Sequence, residues 1–435
     1  MFLSPYARRM LELEAKGLLT RLARVRPLAL TVPAVAAAHI SARAAIAIEE
    51  YLLGGRRQLR QLVSHYLDWL RSSMGNRVET QEAQRRLAIL RLKFNAVLTQ
   101  LDIFADALVQ RCEHVNGVWL AGLDLLAKDA LDLPGDYFTA PPLVVYLDRG
   151  HGAAIRRART RLPGGGKNPV AIIRIPRERM ISSGIASSLV HEVGHQGAAL
   201  LGLNTSLAEE LSERRHNSSA AHRLAWDLWW RWLSEILADF WSLARVGVAA
   251  TQGLIGVVSL PRPFVFRFSL DDPHPVPWLR VKLSCAMGQQ MYPHYQWARL
   301  AALWEAFYPK TGLPGHKRRI IQTMEETMPQ FISLLFNHQP VSLRGKTLYQ
   351  AFRLAGHSPE RLSALYDRWL LSPREMQLAP PTLVFAALGQ ARQAGKLFPA
   401  EEGRIVARLL NGWAVARAVG PHSSRDENRG APFPT

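Results

Sequence analysis

Along most of the chain apolar residues recur three and four positions apart, the spacing of one helical face. From Pro5 to about Leu133 this pattern, as in Leu98, Leu101, Ala105, Leu108, Val109 and Cys112, predicts an α-helical bundle. Gly54-Gly55 and the run from Ser72 to Asn76 read as helix breaks, and Leu133-Pro134-Gly135 followed by Pro141-Pro142 reads as a boundary. Two strand-length runs follow, Leu143 to Leu147 and Val170 to Ile175, separated by an Arg- and Gly-rich loop from Arg156 to Lys167. A helix is expected from Ser182-Ser183 to Leu201, stopped by Gly202 and Asn204, and a second from Ser218 to Val246. After a Pro-rich connection from Leu260 to Pro277, helices return through about Val419, with breaks near Gly312 to Gly315, His338 to Pro340, and Pro380-Pro381. The fold class is therefore mainly α with a small β-sheet (α+β). The expected division is a helical domain over 1–135, a core over 136–290, a helical region over 291–420 and a disordered tail over 421–435.

Composition narrows the class. With 435 residues, 48% of them hydrophobic, and a mean hydropathy of −0.05, the chain is neither disordered, collagenous nor a disulfide scaffold. Its two cysteines, Cys112 and Cys285, lack paired spacing and read as free thiols in a reducing compartment. No early apolar run resembles an export signal, and no stretch approaches a membrane span. A cytoplasmic protein is expected, the alternative being export by a specialised secretion system. The net charge of +19 is carried mostly by arginine, and residues 141–190 alone hold nine basic against two acidic residues. Gly164-Gly165-Gly166-Lys167 lacks the preceding glycine and following hydroxyl residue of a phosphate loop.

The chemistry concentrates in His191-Glu192-Val193-Gly194-His195, in the middle of a predicted helix. Histidines at i and i+4 share a face and can ligate one zinc ion, while the glutamate between them can serve as general base toward an activated water. A third ligand is needed. A metzincin would place Gly and His where Ala198 and Leu201 stand, which excludes that class. Glu235 and Asp239, one turn apart in Glu235-Ile236-Leu237-Ala238-Asp239, supply a gluzincin-type ligand and a second carboxylate able to hold a ligating histidine. Glu209, Glu210, Glu213 and His216 also follow the motif helix and stay open as alternatives for the third ligand. Asp272-Pro273-His274-Pro275 then brings a histidine six residues ahead of Arg280 in a Pro-stiffened loop.

HExxH, E-x-x-A-D and H-P-x-x-x-x-R, in this order, resemble the catalytic core of the CAAX-prenyl-protease/HtpX-like zinc peptidases. The resemblance covers about residues 140 to 285 and omits that family's transmembrane helices. It implies a zincin-like core in which His191, His195 and Glu235 bind Zn2+ and Glu192 is the general base. His274 is the expected stabiliser of the oxyanion, with Tyr292, His294 and Tyr295 as competitors, and Asp239 and Arg280 support the ligands from behind. In peptidases so arranged the strand before the motif helix forms an open edge for an extended substrate. That assigns Val170, Ile172 and Arg174 to substrate binding, and Arg156, Arg157, Arg159, Arg161 and Arg177 favour an acidic polypeptide.

The expected function is zinc-dependent peptide hydrolysis. Two other readings share the sequence. One is a non-enzymatic Arg-rich helical module for nucleic acid or an acidic protein, although no nucleic-acid-binding motif supports it. The other is a metalloprotease effector or toxin with the same active site. Trp226, Trp229, Trp230, Trp232 and Trp241 surround the second predicted helix and imply burial on all its sides.

Overall fold

The computed structural model describes residues 2–24, 35–72, 78–148, 152–163, 165–176, 182–269, 272–352 and 354–420. Arg177, Gly164, residues 73–76 of the expected helix break and the 421–435 tail lie outside the described residues. The protein is mainly α-helical, with one three-stranded sheet among the described residues. No helix among the described residues is long and apolar enough to cross a membrane.

The chain divides into two compact units. The first comprises Met1–Leu120, Pro141–Tyr146 and Arg156–Ile172; the second comprises Ala121–Ala140, Leu147–Ile155 and Ile173–Thr435. The helices beyond residue 290 thus belong to the same unit as the HExxH segment, and no division falls at 290.

In the first unit, α1 (Pro5–Arg24), α2 (Ala42–Arg71) and α3 (Thr80–Val109) bury one face each. Leu11, Ala15, Leu18 and Leu22 on α1 meet Leu59, Val63 and Leu70 of α2 and Leu87 and Phe94 of α3. Gly54 and Gly55 do not break α2, because helix packing on either side of them outweighs a propensity loss of about 1 kcal/mol each. α4 (His114–Leu131) leads out of this unit.

Three strands follow: β1 (Leu143–Asp148), β2 (Ala154–Arg156) and β3 (Ala171–Pro176), in the sheet order β1-β3-β2. This corrects the expected open edge. β3 is the central strand, because the short β2, which no period-2 pattern announces, takes its second side. Val170 and Ile172 are buried at 0% and 4% exposure in an apolar cluster of the first unit, with Ile48, Leu52, Phe104 and Val144, so they pack a core.

The second unit is built around α5 (Ser183–Leu200), which carries the motif, followed by α6 (Leu203–His216), α7 (Ala220–Arg231), α8 (Leu233–Val246) and α9 (Val248–Val258). α10 (Pro277–Met291), α11 (Tyr295–Phe307), α12 (Gly315–Asn337), α13 (Pro359–Leu371), α14 (Pro373–Leu378), α15 (Pro381–Gln393) and α16 (Pro399–Val419) complete it. The start of α5 is fixed twice: the Ser182 side chain accepts from Gly184 N, and the Ser183 amide donates to Glu402 on α16 at 2.7 Å. Its end turns at Gly202, whose φ of 65° suits glycine.

The second predicted helix is two helices. The break falls at Trp232, with φ −91° and ψ 2°, and places Glu235 in the first turn of α8, where the helix dipole favours a carboxylate. Trp226, Trp229, Trp232 and Trp241 are buried, whereas Trp230 is 56% exposed, which corrects the expectation of burial all round.

α5 and α8 approach closely because Gly194 and Gly197 have no side chains. A Cβ on Gly194 would lie 2.8 Å from Trp241 Cβ and 2.9 Å from Ala238 Cα, and one on Gly197 would lie 2.3 Å from the Trp241 ring. A Gly194→Ala chain should therefore lose about 1 to 3 kcal/mol in thermal or denaturant unfolding, since the contact is with backbone and the helices must separate. Gly54→Ala, in open space on α2, should gain about 0.5 to 1 kcal/mol; equal effects at the two sites would contradict this packing.

Candidate functional site

Because α5 and α8 cross at Gly194, the two histidines face Glu235. His191 Nε2 lies 3.3 Å from Glu235 Oε2, and His195 Nε2 lies 3.4 Å from Glu235 Oε1. One ligand atom from each of the three residues falls within 4.8 Å of the other two. Of the alternatives for a third ligand, Glu210 is hydrogen-bonded to His338, and His216 Nδ1 donates to Ser212 O at 2.8 Å within its own helix. Glu209 and Glu213 are exposed. None of the four joins the group.

Each ring is oriented by its other nitrogen. His191 Nδ1 is 2.8 Å from Asp239 Oδ1, and His195 Nδ1 is 3.3 Å from Ser234 Oγ. Asp239 is itself gripped by Arg280, whose Nε donates to Oδ2 at 2.6 Å and Nη2 to Oδ1 at 2.9 Å. That bidentate pair is nearly inaccessible, which makes it a rigid fixture. Arg280 Nη2 also reaches Glu235 Oε2 at 3.4 Å.

His274 approaches the same carboxylate from the solvent side, with Nε2 3.4 Å from Glu235 Oε2 and half its side chain exposed. Asp272 holds it there: Oδ1 accepts from the His274 backbone amide at 3.0 Å and from Nδ1 at 2.7 Å. The rival residues are occupied elsewhere. Tyr292 Oη donates to Ala244 O at 2.9 Å, the His294 ring accepts from Gln296 N at 3.2 Å, and Tyr295 is 65% exposed. Ser234 and Asp272 are contributions that sequence reasoning missed. The spacing Asp-x-His was the available signal for Asp272, since an aspartate two residues before a histidine can bond both its amide and its ring.

Arg174 pairs with Asp148 at 3.4 Å, side by side on β3 and β1. Val170 and Ile172 belong to the first unit's core and do not line the cavity at His191. That cavity, of 140 Å3, is bordered by His191, Glu192, Asp239, His274 and Arg280, with Gly152 and Ala153 just before β2.

The electrostatics follow from burial and pairing. Burial alone would lower the His191 pKa, yet the hydrogen bonds to Asp239 and Glu235 raise it to about 9. Burial opposes ionisation of Glu235, but hydrogen bonds from His191 and His195 hold its carboxyl far below the usual range. Asp239 is likewise drawn down to about 2, against its burial, by Arg280 and His191. Arg280 is pushed upward by Asp239 and Glu235 despite its burial. Glu192, 7% exposed, moves the other way: burial raises its pKa. Two imidazoles and a carboxylate, preset by Asp239, Ser234 and Arg280, make a nitrogen-and-oxygen donor set suited to a divalent cation of zinc type.

The metal-free protein should therefore be pH-sensitive. Its stability from protonated His191 is fully present below about pH 6.5 and is lost as pH rises through about 9, by on the order of 3 kcal/mol. Denaturant unfolding of chelator-treated wild type and His191→Gln should converge toward pH 9; a gap unchanged between pH 6.5 and 9 would contradict the pairing. No family model, no curated protein and no solved structure matches the chain.

Proposed function

We propose that the protein is a zinc-dependent metallopeptidase of gluzincin type, with a motif set resembling that of the CAAX-prenyl-protease/HtpX-like peptidases. The observation that carries this reading is the convergence of His191, His195 and Glu235 within 4.8 Å, each histidine aimed by a second partner. A zinc ion held there would polarise the scissile carbonyl and activate water.

The chain's own groups account for the proton traffic. Glu192, buried beside His191 with a raised pKa, takes the proton of the attacking water and hands it to the leaving amine. His274, its Nδ1 fixed by Asp272, directs Nε2 to the rim of the site, where it faces the developing oxyanion as a hydrogen-bond donor. Arg280 keeps Asp239 ionised, and Asp239 keeps His191 turned inward.

A polypeptide is the substrate of this chemistry, and the exposed Arg156 and Arg161 favour acidic partners over basic ones. Free Cys112 and Cys285 support a reducing, cytoplasmic setting.

Elemental analysis of the purified chain should find one zinc, lost or weakened in His191→Ala and Glu235→Gln. Glu192→Gln should retain the metal and lose peptide hydrolysis. His274→Ala should lower kcat by about 10² to 10³ with the metal retained. A wild-type chain that takes up no zinc on reconstitution would overturn the reading, and steep salt-dependent DNA binding would then favour the basic binding module.

A further inference from the structure

α1 buries Leu11, Ala15, Leu18 and Leu22 in the core of the first unit, yet it carries a second apolar row turned away from that core. Phe2, Tyr6, Met10 and Leu13 recur four, four and three positions apart and stand 72%, 81%, 57% and 61% exposed. The same row continues through Arg9, Lys16 and Arg24, all exposed.

α3 extends this surface. Thr80 Oγ1 donates to Phe2 O at 3.3 Å, and Arg91 Nη2 donates to Glu14 Oε2 at 2.6 Å. These partners are 78 and 77 residues apart, so α1 and α3 run side by side in the same direction. That register sets the exposed Ile89 and Leu92 of α3 at the height of Leu13.

Charge on this face is one-sided. Glu12 is held by Lys16 and Arg71, Glu14 by Arg91, and Glu82 by Arg85 and Arg86. Arg9, Arg24 and Lys93 have no carboxylate partner among the described residues, and against them stands the exposed Glu79 at the head of α3. A row of large apolar side chains interleaved with cations fits an occupant that is both apolar and anionic. A second copy of the chain would bring the same cations to the interface, and a nucleic acid would leave the hydrocarbon uncovered. An anionic bilayer meets both demands.

We propose that this face of the first unit seats the protein on an anionic lipid surface. α1 lies in the plane of the interface, with Phe2, Tyr6, Met10 and Leu13 among the upper acyl chains and Arg9, Lys16 and Arg24 at the phosphates. The proposal is independent of the peptidase reading and holds whether or not the chain binds zinc.

The test is co-sedimentation of the full chain with phosphatidylglycerol-containing vesicles and with vesicles of phosphatidylcholine alone. Binding should favour the anionic vesicles and weaken as salt rises from about 0.05 to 0.5 M. Met10→Asp with Leu13→Asp should weaken it about 10-fold or more, and Arg9→Ala with Lys16→Ala by a similar factor. All four side chains are exposed, so no core must repack, and an unchanged melting temperature checks this. Leu371→Asp, at an 87% exposed position on α13, should leave binding as it is. No binding to either vesicle, equal binding to both, or anionic binding that survives both double variants overturns the proposal. So does a wild-type dimer in light scattering that Met10→Asp dissociates while the vesicles stay bare, which would assign the face to a second copy.

Discussion

Everything at the candidate centre depends on how closely α5 and α8 approach. His191 and His195 come from one helix and Glu235 from the other, so the reach of their side chains sets a narrow range of helix separations. Gly194 and Gly197 admit Ala238 and the Trp241 ring to the surface of α5, and no larger residue could stand there without moving backbone. Trp241 in turn donates its indole N–H to Ala130 O at 2.8 Å and stacks edge-on against Phe352. The aromatic core of the second unit thus fixes the spacing of His191, His195 and Glu235 rather than merely surrounding them.

The second constraint is the path by which orientation is transmitted. Arg280 on α10 fixes Asp239 on α8, Asp239 fixes His191 on α5, and the amide of Ser183 at the head of α5 is held by Glu402 on α16. Four helices distant in sequence therefore bear on one imidazole. Removing Asp239 would leave a buried guanidinium without its bidentate partner as well as an untethered ring, so its loss is expected to be more severe than that of an exposed acid.

How much of this was legible in sequence varies with the range of the interaction. The i, i+4 histidines and the one-turn spacing of Glu235 and Asp239 are local, and helical periodicity displays them directly. Gly54-Gly55 misled, because local propensity says nothing of the tertiary contacts that carry α2 through it. β2 was invisible because three residues hold no period. Its pairing makes β3 central, and packing against Ile48, Leu52, Phe104 and Val144 buries Val170 and Ile172, so the substrate-edge expectation failed on contacts distant in sequence. The break at Trp232 left no Gly or Pro signal, yet it sets Glu235 at a helix start. Asp272 stood in plain view, but its role becomes visible only when His274 Nδ1 is seen bonded to it.

Charge balance gives the site its chemical direction. Glu192, Glu235 and Asp239 are all buried or nearly so, and among the described residues Arg280 is the fixed cation that bonds Glu235 and Asp239. With both imidazoles neutral and all three acids ionised, the cluster carries two uncompensated negative charges. The metal-free protein meets part of this by protonating His191 and by raising the pKa of Glu192. A divalent cation would remove the whole imbalance, freeing His191 Nε2 as a ligand and letting Glu192 ionise at lower pH. The features that make the cluster awkward without a metal, three acids in little water beside one arginine, are those a bound cation would relieve under the proposed reading, while burial holds the Glu192 pKa above its ordinary value.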